Sequence, residues 1–144
     1  LDYLTDDWKE VITLLQHKGV KVGILSQWYI RSSLPVAQLL SIDPEWIFAL
    51  DFVYDDDGNF QNLDMTQDLM YYDGKKRVIN KLRQQYPDKK IIFSGDSLGD
   101  YESWQYADLF VAYTGVVERP KVIACAEHIA RTPQELYKYI EPLL

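Results

Sequence analysis

Ile91-Ile92-Phe93-Ser94-Gly95-Asp96-Ser97-Leu98-Gly99-Asp100 carries more information than any other part of this sequence. An apolar run, predicted as a buried strand over residues 90–94, ends on a glycine and a carboxylate. Gly95 lets the backbone turn tightly. Asp96 then stands at the strand's carboxyl end. Asp100 follows four residues later, about one helical turn on, and can point back to the same place. Two carboxylates so placed make a hard-oxygen site suited to Mg2+. Asp96 or Ser97 would also serve as the cap of the following helix.

Outward from this stretch, helices and strands alternate. Toward the N-terminus, Thr5 or Asp6 can cap a helix whose Trp8, Val11, Ile12 and Leu15 share one face, and Gly19 stops it. Residues 20–26 (VKVGILS) read as a short strand with a polar end. A helix over 29–40, containing Pro35, and a strand over 48–54 follow. Asp57-Gly58 is a turn signal, so residues 53–63 read as a hairpin or as a strand followed by a turn. Lys75 opens a helix over 75–85. Beyond Asp100, a short helix (100–107), a strand (109–113), a helix (120–127) and a short strand (128–131) are expected. A last helix is capped by Thr132-Pro133 and turns Leu136, Ile140 and Leu143 inward. Strands separated by helices imply βαβ units and a parallel sheet. Ligands of such sheets bind at the carboxyl ends of the strands, which singles out Ser26 along with Asp96.

The chain has 144 residues, a formal charge of −7, and 47% hydrophobic and 26% charged residues. That is one globular domain, 1–144, with the composition to bury a core. The acidic balance disfavours a nucleic-acid partner. Apolar runs reach five residues, as in Leu109 to Tyr113, which is too short for a membrane helix. One cysteine, Cys125, excludes an internal disulfide and suits the cytoplasm. It reads as a small core residue.

A strand-end serine, a helix-opening lysine and a strand-end GDxxxD, in that order, resemble the haloacid dehalogenase superfamily, most nearly its phosphoserine-phosphatase-like branch. Ile24-Leu25-Ser26 resembles the second motif. Gly74-Lys75-Lys76-Arg77-Val78-Ile79 resembles the third, with Lys75 or its neighbour Lys76 as the motif lysine. Residues 91–100 resemble the fourth, and residues 106–112 its helix-then-strand continuation. Phe52 to Leu63 resembles the hairpin that this branch carries.

The resemblance implies a three-layer, Rossmann-like core and a Mg2+-dependent phosphatase of a small phosphorylated metabolite. Phosphoryl transfer would pass through an aspartyl-phosphate. Ser26 and Lys75 would be catalytic. Ser26, Gln27 and Lys75 would bind phosphate, and Asp96 and Asp100 the metal. The family's first motif, a DxD on the first strand, has no match upstream of Ser26. The chain begins with Leu1, as if the first strand and cap were missing, and this chain alone is expected to be inactive. A second fragment or a homodimer is expected to cover the open sheet edge. The alternative is a non-catalytic binding or regulatory module of the same fold.

Asp55-Asp56-Asp57-Gly58 has the local form of that first motif but lies after the second, and reads as a hairpin turn. It is no calcium loop, because Gly58 comes too early and Thr66 stands where a bidentate Glu belongs. Gln27 and Trp28 are bulky for a phosphoserine-sized pocket, and Trp28 would pack under a cap. His17 reads as a helix C-terminal cation, His128 as surface or strand edge, and Tyr101, Trp104 and Tyr106 as core.

Overall fold

A computed structural model describes residues 6–144. Thr5, a proposed cap, lies outside them. The helix α1 (Asp6–His17) starts on two acidic residues and ends on His17, which suits the helix dipole at both ends. Val11, Ile12 and Leu15 are buried, as the spacing requires, while Trp8 is half-buried and packs on Tyr113. Gly19 closes the helix with φ of 80°.

The first strand, β1 (Ile24–Tyr29), starts later than expected and runs past Ser26. Its partner sets this boundary: β2 (Ile47–Leu50) pairs parallel to it, with Ile24 opposite Ile47. Between them lies α2 (Ile30–Leu39), with Pro35 inside it. The single strand expected over 48–54 is two, because the chain breaks pairing at Asp51. There the Gln67 side chain takes both backbone groups of Asp51, at 2.8 and 2.7 Å. The strand β3 (Phe52–Tyr54) then pairs antiparallel with β4 (Phe60–Leu63), forming the expected hairpin.

The helix α3 (Gly74–Gln85) leads into β5 (Ile92–Gly95). After β5 the helical stretch is shorter than expected: α4 (Leu98–Glu102), then a 3-10 turn, Trp104–Tyr106. Trp104 swings outward there rather than into the core, whereas Tyr101 packs edge-on against Phe110. The remaining elements are β6 (Leu109–Tyr113), α5 (Pro120–Cys125), β7 (Ile129–Ala130) and α6 (Pro133–Ile140). Thr132 caps α6 through its hydroxyl, which accepts from Glu135 N at 3.1 Å. Cys125 is exposed, contrary to expectation, because α5 ends on it and only Val122 is buried. His128 is half-buried against the Tyr139 ring.

Among the described residues the parallel strands form two sheets, β1–β2 and β5–β6–β7. Helices cover both faces. One core joins Val11, Ile12 and Leu15 of α1 to Ala37 of α2, Ile47 of β2, Val111 of β6 and Leu136 and Ile140 of α6. Ala112, next to Val111, is equally buried but outside that cluster, as alternation along a strand requires. Val78 and Ile79 of α3, Phe93 of β5 and Val122 of α5 are also buried outside it. The architecture is the expected three-layer α/β fold.

Candidate active site

The GDSLGD turn is held by its own short side chains. Ser97 caps α4: its hydroxyl accepts from Asp100 N at 3.2 Å. In return, Asp100 Oδ2 accepts from Ser97 N at 2.9 Å and from Ser97 Oγ at 2.7 Å, a reciprocal capping box. The helix-cap reading of Ser97 and the functional reading of Asp100 are therefore compatible. Gly95 makes room for this carboxylate, because a Cβ there would lie 2.4 Å from Asp100 Cγ and Oδ2.

Asp100 Oδ1 accepts from Lys75 Nζ. The two side chains are only 15% and 4% exposed, so this ion pair sits inside the protein. A buried pair is tolerated when geometry and further hydrogen bonds offset its desolvation, and Ser97 supplies those bonds here. The two adjacent lysines differ: Lys75 turns in to Asp100, whereas Lys76 Nζ lies over the Tyr106 ring, 5.9 Å from its centroid. Lys75 is aimed by Gly74, whose position against Asp68 O and Leu69 Cα would put a Cβ at 2.5 and 2.6 Å. The turn Asp68–Met70 thus seats the start of α3 directly.

Asp96 follows β5 immediately and is half-buried. Its Oδ2 accepts from Arg119 Nε at 3.1 Å. Sequence reasoning missed Arg119. Its signal was positional: a cation just before Pro120, in the loop after β6, which pairs parallel to β5. That loop leaves the sheet at the same edge as Asp96.

Ser26 lies in an irregular part of β1. Leu25 faces Phe48 and Tyr29 faces Leu50, so four steps along β1 match two along β2. Extra residues of this kind bend a strand and re-aim its side chains. Ser26 Oγ accepts from Trp28 N at 3.1 Å, leaving its own proton free to donate. Gln27 behaves differently from expectation. Both hydrogens of its amide are directed to carbonyls, Leu69 O at 3.1 Å and Tyr71 O at 2.7 Å. The side chain therefore ties β1 to the segment before α3 and has no donor left for a phosphate. Trp28 is 72% exposed and packs under nothing among the described residues.

The DxDG look-alike is a turn. Asp55 Oδ1 accepts from Asp57 N and Asn59 N at 3.0 and 2.8 Å, and Gly58 has φ of 82°. The Asn59 backbone bond, with the other bonds of the turn, holds the Asp55 carboxyl below its usual pKa. Among the described residues, no three His, Cys, Asp or Glu side chains group closely enough to hold a metal ion. The chemistry of Asp96 nonetheless fits Mg2+, which binds through one or two carboxylates and keeps several waters. Asp100 has both oxygens engaged. No helix among the described residues is long and apolar enough to cross a membrane.

No family model matches the chain. It is 32% identical over 120 residues to phosphoserine phosphatase of Homo sapiens, covering 83% of this chain and 53% of that protein. The figure for phosphoserine phosphatase of Bos taurus is 31% over 125 residues, 87% and 56%. The chain thus spans about half the length of these curated relatives. Among solved structures, a phosphoserine phosphohydrolase-like protein from Francisella tularensis superposes with a TM-score of 0.84 at 33% identity, covering 96% of this chain and 64% of that one. Similarity of this extent, on a fold that brings the motif lysine to the motif aspartate, places the chain in the haloacid dehalogenase superfamily, in its phosphoserine-phosphatase-like branch.

Proposed function

We propose that these residues form most of the core of a Mg2+-dependent phosphohydrolase that cleaves a small phosphomonoester. The observation that carries this reading is the buried Lys75–Asp100 pair beside Asp96, at the carboxyl edge of the sheet. Lys75 supplies fixed positive charge where a phosphoryl group would gather negative charge. Asp100 and the Ser97 cap hold that ammonium in place, so it need not reorganise during transfer. The Ser26 hydroxyl donates to a phosphoryl oxygen from the irregular part of β1. Asp96 would be the carboxylate that holds Mg2+, and Asp100, whose oxygens are engaged by Lys75 and Ser97, would act on it only through a water. When bound, Mg2+ neutralises charge on the phosphoryl oxygens.

The nucleophile in this reading is an aspartate on a strand outside the described residues. Two observations support such a strand. β1 pairs only with β2 and β5 only with β6, so each leaves an edge open among the described residues. The look-alike Asp55 is also spent within its own turn. By itself the 144-residue chain is then inactive, and its open edges are covered by a second fragment or a second copy. Phosphoserine is the first substrate to test, because the relatives carry its name.

The experiment compares the full-length protein with residues 1–144, using phosphoserine and an aryl phosphate. The full-length protein should hydrolyse at least one of them with Mg2+. Lys75→Met and Asp96→Asn should each lower kcat by about 10²–10³. The 144-residue chain should show no turnover. Steady Mg2+-dependent turnover by that chain, abolished by Asp96→Ala, would overturn the placement of the nucleophile.

A further inference from the structure

We propose that Arg119 is a built-in competitor for the metal at Asp96, holding the carboxylate neutralised when no metal is there and weakening metal binding. This rests on the reading of Asp96 as the metal ligand. The two aspartates of the GDSLGD turn are treated differently by the fold. Asp100 is fully engaged by Lys75 and Ser97. Asp96 has one side-chain partner among the described residues, the Arg119 guanidinium, whose Nε donates to Oδ2 at 3.1 Å.

The loop places this arginine without locking it. Arg119 precedes Pro120, which disfavours helical backbone at the residue before it. Its φ and ψ are −113° and 107°, extended as that restriction requires. The base of the side chain is thereby fixed on the edge that carries Asp96. The Arg119 side chain is 54% exposed, and the Asp96 side chain 43%. An ion pair this open to water is weak, so the arginine can swing into solvent when a stronger cation arrives. A guanidinium and a divalent cation on one carboxylate repel each other. Part of the metal's binding free energy therefore goes into displacing Arg119, which sets a lower affinity and faster exchange than Asp96 alone would give.

The test is calorimetric titration of Mg2+ into the full-length protein, with Mn2+ electron paramagnetic resonance as a second readout. Arg119→Gln should bind Mg2+ about two- to fivefold more tightly than wild type, and the difference should shrink in high salt. Arg119→Lys, which keeps the charge, should return the affinity toward the wild-type value. Unchanged or weaker binding in Arg119→Gln would overturn the proposal, the arginine then serving only to position Asp96. Asp96→Asn separates the two readings. Loss of binding in that variant leaves Asp96 as the ligand whatever Arg119 does. Wild-type affinity in it removes both readings.

Discussion

Asp100 reaches its place because residue 95 has no side chain. A Cβ at Gly95 would lie 2.4 Å from the carboxylate, while one at Gly99 would meet nothing nearer than Ser97 Oγ at 3.8 Å. Two glycines four residues apart thus do different things. Gly95→Ala should push Asp100 off Lys75, destabilise the fold by about 1–3 kcal/mol and remove most activity. Gly99→Ala, inside α4, should be neutral or stabilising by up to about 1 kcal/mol. Urea unfolding of both variants checks the contrast. At this scale the sequence showed where Lys75, Asp96 and Asp100 stand, because each sits at the end of a periodic segment. It concealed what Gln27 does, since the carbonyls that hold its amide lie 42 and 44 residues away. It also concealed Arg119, which lies in a loop without periodicity.

The elements were legible wherever a face is buried. The period of α1 named Val11, Ile12 and Leu15 correctly. Boundaries set by a distant partner were not: β1 starts where Ile47 meets it, and the break at Asp51 is enforced by Gln67. A third such junction lies at Asp108, which ties three elements. Its Oδ2 accepts from Ile91 N at 2.7 Å, just before β5, and from Arg83 of α3, while its own chain leads into β6. Partial burial pushes this carboxyl's pKa up, but the Ile91 N–H and the Arg83 guanidinium outweigh it and hold the pKa below the usual value. A depressed folded pKa gives stability that is present above the unfolded pKa of about 3.9. It is lost as pH falls through the folded value. Asp108→Asn should therefore cost about 0.5–1 kcal/mol at neutral pH, the side chain being 41% exposed. The cost should shrink below about pH 4. Thermal melts across pH measure the difference.

For the whole molecule, the order of motifs was enough to give the three-layer α/β class. It could not give the division of the parallel strands into two sheets, which depends on which edges find partners. What unites the halves is the helical layer: α1 and α2 from one side of the sequence meet α6 from the other in a single cluster. Leu136→Ala should therefore weaken both halves together, costing about 2–5 kcal/mol. A single cooperative transition at lower denaturant, seen alike by circular dichroism and by tryptophan fluorescence, is the expected result.

The meeting of the first helix with the last also sets a schedule for synthesis. The apolar face of α1 is made first, and Leu136 and Ile140, which cover part of it, follow about 120 residues later. At roughly 5–20 residues per second, the ribosome takes about 6–25 s to pass from α1 to α6. Throughout that interval the nascent chain shows water a greasy helix with its closing partner still unwritten. Such a chain closes this core only once α6 has emerged, and until then it is a natural client for a chaperone waiting at the tunnel mouth.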